Sequence, residues 1–292
     1  MKTKLSPAAR MIAIAYAVSW IVGVALWATG GIQSAPRKIV GGFAFMLGPA
    51  IGALVMTRRM PWPERRRALG LVVPSWRWLL AAWLVPALLV GVATLGSLLV
   101  PGTSLVSPAS ALRSLVAAQS AASAAKLDSI PAPLLSTLLV CQAFVLGPIL
   151  NVPFMLSEEL GWRGFLWSEW RRLGFWKHAL ATGMVWGLWH APLIAMGHNY
   201  ADAPIAGIGI MVVFCVLLTP TLHHLRDRGG SIWHACIFHG TINAGASIGA
   251  LCIHSPTWVG RGITGLPGLV TLSAATGLVA LARSSTRSGG RL

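Results

Sequence analysis

The sequence predicts an all-α fold, a polytopic membrane helix bundle of about eight transmembrane helices, on three observations. Of the 292 residues 55% are hydrophobic and 10% charged, and the mean hydropathy is +0.70; soluble domains lie nearer roughly 45–50% and about 25%. Apolar stretches of about 18 or more residues recur, each long enough to cross ~30 Å of hydrocarbon. Most of the 23 Lys and Arg residues fall between alternate stretches, as the positive-inside rule requires of a multi-pass protein.

Taken in order, the predicted spans are 11–30, 39–57, 78–100, 134–170, 177–197, 205–223, 231–250 and 263–282. The first follows Lys2, Lys4 and Arg10, but its apolar run is too long for a signal-peptide core, so it reads as a retained span. Between the second and third, 57–77 is a basic, tryptophan-bearing interface segment. The connection 101–133 reads as an external loop with one short surface helix around 109–126. The fourth stretch stays apolar for about 40 residues with Pro148 and Pro153 inside it. Counting it as two crossings would put Arg171, Arg172 and Lys177 outside, so it reads as one long, kinked or partly re-entrant element; broken backbone is tolerated where it lines a protein cavity.

Residues 1–283 thus read as a single integral-membrane domain whose core is about 134–250, with 284–292 a disordered cytoplasmic tail. The formal charge of +16 reflects topology and contact with anionic lipid, not nucleic-acid binding. Basic segments at 2–10, 58–77, 163–177, 226–228 and 283–291 place both termini in the cytoplasm, with a bacterial inner membrane the expected location. Cys141, Cys215, Cys236 and Cys252 lack ligand-type spacing and read as small apolar residues.

Against this background Glu158 and Glu159, two of only seven acidic residues, need a reason. A carboxylate in hydrocarbon costs at least ~2.5–3.5 kcal/mol and marks a functional site by default. Counting from the basic span edges, Glu158 and His190 lie ~20 Å and His239 ~16 Å along their helices, a similar depth on three spans. Asn243 shares a helix face with His239, and Arg163 is close enough to neutralise one acid. A carboxylate in an apolar cavity is a useful general base with a histidine to share its water. His239 and Asn243 offer donors for an oxyanion. No serine has the spacing of a nucleophile elbow, so water attack is expected. A zinc ion on Glu158, His190 and His239 is the competing chemistry. By contrast, His178, His198 and His254 read as solvated span edges, His223-His224 as a helix-ending interfacial pair, and Trp162, Trp167, Trp170 and Trp176 as interface anchors.

At these residues the chain resembles the CAAX-protease and bacteriocin-processing (CPBP, or Abi) intramembrane endopeptidases. Glu158, Glu159 and Arg163 fit the motif Glu-Glu-x-x-x-Arg, Trp186 and His190 an aromatic-x-x-x-His with Trp where Phe is common, and His239 and Asn243 a His-x-x-x-Asn. The resemblance, over about 155–245, implies an eight-helix membrane endopeptidase with its active-site cavity within the membrane, opening toward the cytoplasm. It implies Glu158 as the base, His190 as the group orienting the water, His239 and Asn243 at the oxyanion, and Glu159 with Arg163 as support. The expected substrate is a membrane-associated peptide or lipidated protein, prenylated CAAX-type or leader-peptide. The glutamate-type mechanism without cofactor is favoured over a Zn2+ version. A non-catalytic scaffold or bacteriocin-immunity protein of the same fold is the alternative, and the sequence carries no signal for oligomeric state.

Overall fold

The computed structural model describes residues 5–32 and 34–288 and is almost wholly helical. Its helices are α1 Pro7–Ala28, α2 Ala35–Thr57, α3 Trp62–Ala68, α4 Trp76–Gly96, α5 Pro108–Ala117, α6 Ala121–Asp128, α7 Ala132–Cys141, α8 Gly147–Leu150, α9 Val152–Glu159, α10 Leu166–Trp170, α11 Phe175–Trp189, α12 Ala191–Ala195, α13 Pro204–Gly229, α14 Ile232–Cys252 and α15 Leu266–Ser288. Two-residue strands β1 (Ser104–Leu105) and β2 (Ile253–His254) pair antiparallel, Ser104 opposite His254.

Among the described residues seven helices, rather than eight, are long and apolar enough to cross a membrane: Pro7–Ala28, Arg37–Thr57, Trp76–Leu99, Ala132–Leu150, Pro204–Gly229, Ile232–Cys252 and Leu266–Ser285. The expected span 177–197 is present as α11 and α12, divided at His190 and each too short to qualify. Pro192 explains the division, because proline lacks the N–H that would continue the α11 ladder and suits the first turn of a new helix.

The stretch 134–170 is broken, as its prolines predict. Helical pieces from Ala132 to Leu150 end at a turn at Asn151, and a second run from Val152 reaches Trp170. Each run contains a π-helical segment, Gln142–Leu146 and Leu160–Phe165. Such segments are rare and concentrate at functional sites.

Three further expectations change. The 101–133 connection holds two short helices, α5 and α6, and Arg113 pairs with Asp128 across them at 3.3 Å. The last helix runs to Ser288, into the stretch read as a tail, while Lys2, Lys4, Arg291 and residues 289–292 lie outside the described residues. His178, His223, Trp162 and Trp167 are buried rather than solvated or interfacial. The rings of His178 and His223 lie 4.4 Å apart, each about 5 Å from Trp167.

The chain divides into two compact units. One comprises Met1–Ala82, Val152–Cys236 and Ser273–Leu292; the other comprises Trp83–Asn151 and Ile237–Leu272. In the first, small residues bring backbones together as membrane packing demands, since apolar burial alone gives no drive between helices in lipid. A Cβ on Gly183 would lie 2.7 Å from the Cα of Val216, and one on Gly187 2.5 Å from that of Val212, so this Gly-x-x-x-Gly lets α11 lie directly on α13. Gly161 does the same for the second π segment, where a Cβ would meet Met11 of α1 at 2.4 Å and Pro49 of α2 at 2.7 Å. In the second unit, the close approach is Gly147 to Ala244, 2.6 Å from such a Cβ.

Candidate active site

The first unit gathers Glu158, Glu159, Arg163, Trp186 and His190. Glu158 and Glu159 end α9 with 3% and 0% exposure, and Arg163 follows in the π segment at 0%. Glu159 Oε1 accepts from Arg163 Nη1 at 3.0 Å, an i,i+4 pair with both side chains fully buried. Two charges out of water need further hydrogen bonds to be tolerable. Arg163 Nη2 supplies one by donating to Thr219 Oγ1 at 3.2 Å, and Thr219 in turn donates to the Cys215 carbonyl. The guanidinium also lies 4.2 Å from the Trp186 ring centroid, a cation–π contact in a site shielded from water. The Arg163 carbonyl accepts from Arg226 Nε at 3.1 Å.

Glu158 is held differently. Its Oε2 accepts from Trp186 Nε1 at 2.9 Å, a hydrogen bond to a neutral donor. Trp186 therefore serves both acids, its edge on Glu158 and its face under the arginine that pairs with Glu159.

The end of α11 fixes His190. The last carbonyls of a helix have no intrahelical partner. Here side chains satisfy two of them, Trp20 Nε1 donating to Trp189 O at 3.1 Å and His190 Nδ1 to Trp186 O at 2.8 Å, while Tyr16 Oη donates to Val185 O just before them. A carbonyl only accepts, so Nδ1 carries the hydrogen. The ring is half-buried and packs edge-on to Trp189, 4.8 Å between centroids, which itself lies on Trp162 and Phe45. One tryptophan thus touches both groups expected to handle water, Glu158 through its indole and His190 through its carbonyl.

His239 and Asn243 lie one turn apart on α14 in the second unit, His239 buried and Asn243 exposed. Asn243 lines a cavity of about 250 Å³ with Gln142, Gly147, Leu150, Asn151, Ala244 and Ser247. His234, the other histidine of α14, has both ring nitrogens against carbonyls, Ser231 O at 3.0 Å and Ser75 O at 3.1 Å, which is a structural role. Among the described residues no group of three or more His, Cys, Asp or Glu side chains is arranged to hold a metal ion.

Of the residues that sequence reasoning singles out, the structure pairs Glu159 with Arg163 and sets Glu158 and His190 on Trp186. Sequence reasoning missed what Trp186 does, although the aromatic position of the second motif had marked it. Thr219, one of two threonines in the apolar span Pro204–Gly229, carried the only sequence signal for the partner of Arg163.

No curated protein matches the chain. Residues 132–245 match the family model described as type II CAAX prenyl endopeptidase, Rce1-like. That interval contains every motif residue from Glu158 to Asn243, and the all-helical, multi-span fold agrees with a membrane protein. The resemblance to the CAAX-protease family carried by the three motifs is thus shown by this match over residues 132–245, to the Rce1-like type II CAAX prenyl endopeptidases.

Proposed function

We propose that the protein is an intramembrane endopeptidase in which Glu158 activates a water to cleave a peptide bond of a membrane-associated substrate. The observation that carries the proposal is the division of labour between adjacent acids. Glu159 is bound to a buried arginine, whereas Glu158 accepts from the same indole whose backbone carbonyl orients His190. General-base work needs a carboxylate whose lone pair is within reach of water, with a second group to steer that water. His190 Nε2 suits the second task.

In the proposed reaction Glu158 takes a proton from water as its oxygen bonds to the scissile carbonyl carbon. The carbonyl oxygen becomes an oxyanion, a role in which the third motif supports donors from His239 and Asn243. Collapse breaks the C–N bond, and Glu158 returns the proton to the leaving amine. Arg163 and Glu159 balance each other's charge, so the field at Glu158 stays constant through the cycle. The distribution of basic residues supports a cytoplasmic location for both termini.

The test is cleavage, in detergent, of a quenched fluorescent peptide ending in a prenylated-cysteine motif by wild type, Glu158→Ala and His190→Ala. We expect both variants to lose about 10²–10⁴-fold in kcat, the range for general acid–base groups. Equal rates in all three would sink the assignment. Metal content and chelator sensitivity, measured on the same active sample, separate metal-free from zinc-assisted water, since full activity in metal-free protein excludes the latter.

A further inference from the structure

The second unit holds a cavity in which Asn243, a proposed oxyanion donor, stands beside polar groups to which the proposed water chemistry gives no role. Its walls are two helical segments pinned together at one level: Gly147 leaves no room for a side chain against Ala244, and Asn151 Nδ2 donates to the Gly240 carbonyl at 3.0 Å. Gly240 is needed there too, because a Cβ would meet the Pro148 carbonyl at 3.0 Å. Beside this crossing the first wall changes to π-helix over Gln142–Leu146, whose Phe144 carbonyl accepts from the Trp83 indole. The widened turn sets Gln142 on the cavity, with Asn243 and Ser247 opposite on α14.

The lining is unusual for this depth. Gln142 is the eleventh of the 19 residues of the candidate span Ala132–Leu150, among leucines and valines. Its carboxamide makes no hydrogen bond to any described residue and is exposed. An amide at this depth needs a polar partner, which water or a ligand entering the cavity can supply. Three carboxamides (Gln142, Asn151, Asn243) and the Ser247 hydroxyl line the space, and no ionisable side chain does. Such a set suits a neutral occupant that both donates and accepts. A peptide main chain does that at every residue, whereas a phosphate or an ammonium would find no countercharge.

We propose that this cavity is a subsite for the main chain of the peptide substrate, and that Gln142 hydrogen-bonds one of its amide groups. This rests on the endopeptidase reading and deepens it: the site selects an unwound, extended segment, because a helical one has its amides already paired.

The experiment is a single-position N-methyl scan of the prenylated peptide against wild type and Gln142→Leu, a change that suits a membrane helix and so preserves folding. N-methylation removes one donor and keeps the carbonyl. At one position we expect it to lower kcat/KM about tenfold in wild type and less than twofold in Gln142→Leu; equal effects of every N-methyl group in the two proteins overturn the proposal. Binding of the same peptides, read by fluorescence anisotropy, gives a second readout independent of turnover. Kd unchanged by Gln142→Leu, or no binding to either protein, also overturns it. Cleavage that persists in Glu158→Ala would refute the base assignment alone, since the Gln142 coupling is read separately.

Discussion

The two π-helical segments make an instructive pair. In Leu160–Phe165 all six residues are buried; in Gln142–Leu146 only Ala143 is. Both widen a turn and release a backbone carbonyl to a side-chain donor, Arg163 O to Arg226 and Phe144 O to Trp83. The first then encloses a full charge, with Gly161 and Gly164 admitting α1, α2 and the Leu69 backbone right against it. The second leaves the uncharged Gln142 carboxamide beside a cavity. The same backbone device therefore has opposite energetic consequences. Where the π turn is sealed, its polar groups are interlocked and costly to disturb; where it is open, they are cheap to change and available to a ligand.

That contrast orders the expected effects of mutation. Arg163→Met leaves the buried Glu159 carboxylate without its partner and is expected to lower stability by about 3–5 kcal/mol, the usual cost of breaking a buried ion pair from one side. Thermal unfolding in detergent measures it, and the double variant Arg163→Met/Glu159→Gln should recover most of the loss. Full stability of the single variant would break the idea of a sealed, interlocked segment. Trp186→Phe keeps the aromatic face under Arg163 but deletes the donor to Glu158. Hydrogen bonds to charged groups contribute about 1.5–3 kcal/mol, so kcat should fall by about 10–100-fold, with the folded protein intact. A fall in KM or stability instead of kcat would show that the indole serves packing alone. The smallest effect belongs to the open segment: Gln142→Leu should change the unfolding midpoint by the equivalent of about 0.5 kcal/mol or less, as for surface positions.

Legibility in the sequence follows the same divide. Charges and histidines in an apolar chain stand out because their desolvation demands an explanation, so Glu158, Glu159, Arg163, His190, His239 and Asn243 could be singled out by counting along spans. Pro148 and Pro153 announced a broken fourth stretch for a similar reason, the missing N–H. What could not be seen was how backbone and aromatic groups answer those demands. π turns leave no compositional mark, and nothing in Trp-Gly-Leu-Trp-His says that the first tryptophan joins both acids or that the histidine caps its own helix. The division of 177–197 at His190 escaped the hydropathy reading because Pro192 and His190 sit inside an otherwise continuous apolar run. His178 and His223 were misjudged as edge residues because distance from a basic cluster sets depth along a helix, not the packing around it. Their burial depends on Trp167, a contact between distant segments.

The central claim is that two adjacent glutamates have different jobs, and the isosteric exchanges Glu158→Gln and Glu159→Gln test it side by side. Each protein is folded in detergent, its unfolding midpoint recorded, and its single-turnover cleavage of the prenylated peptide timed. The account predicts that Glu158→Gln keeps its stability and loses at least about a hundredfold in rate, while Glu159→Gln loses stability and keeps more of its rate. Glu158→Gln cleaving within twofold of wild type, or Glu159→Gln proving the inactive but stable one, would contradict it.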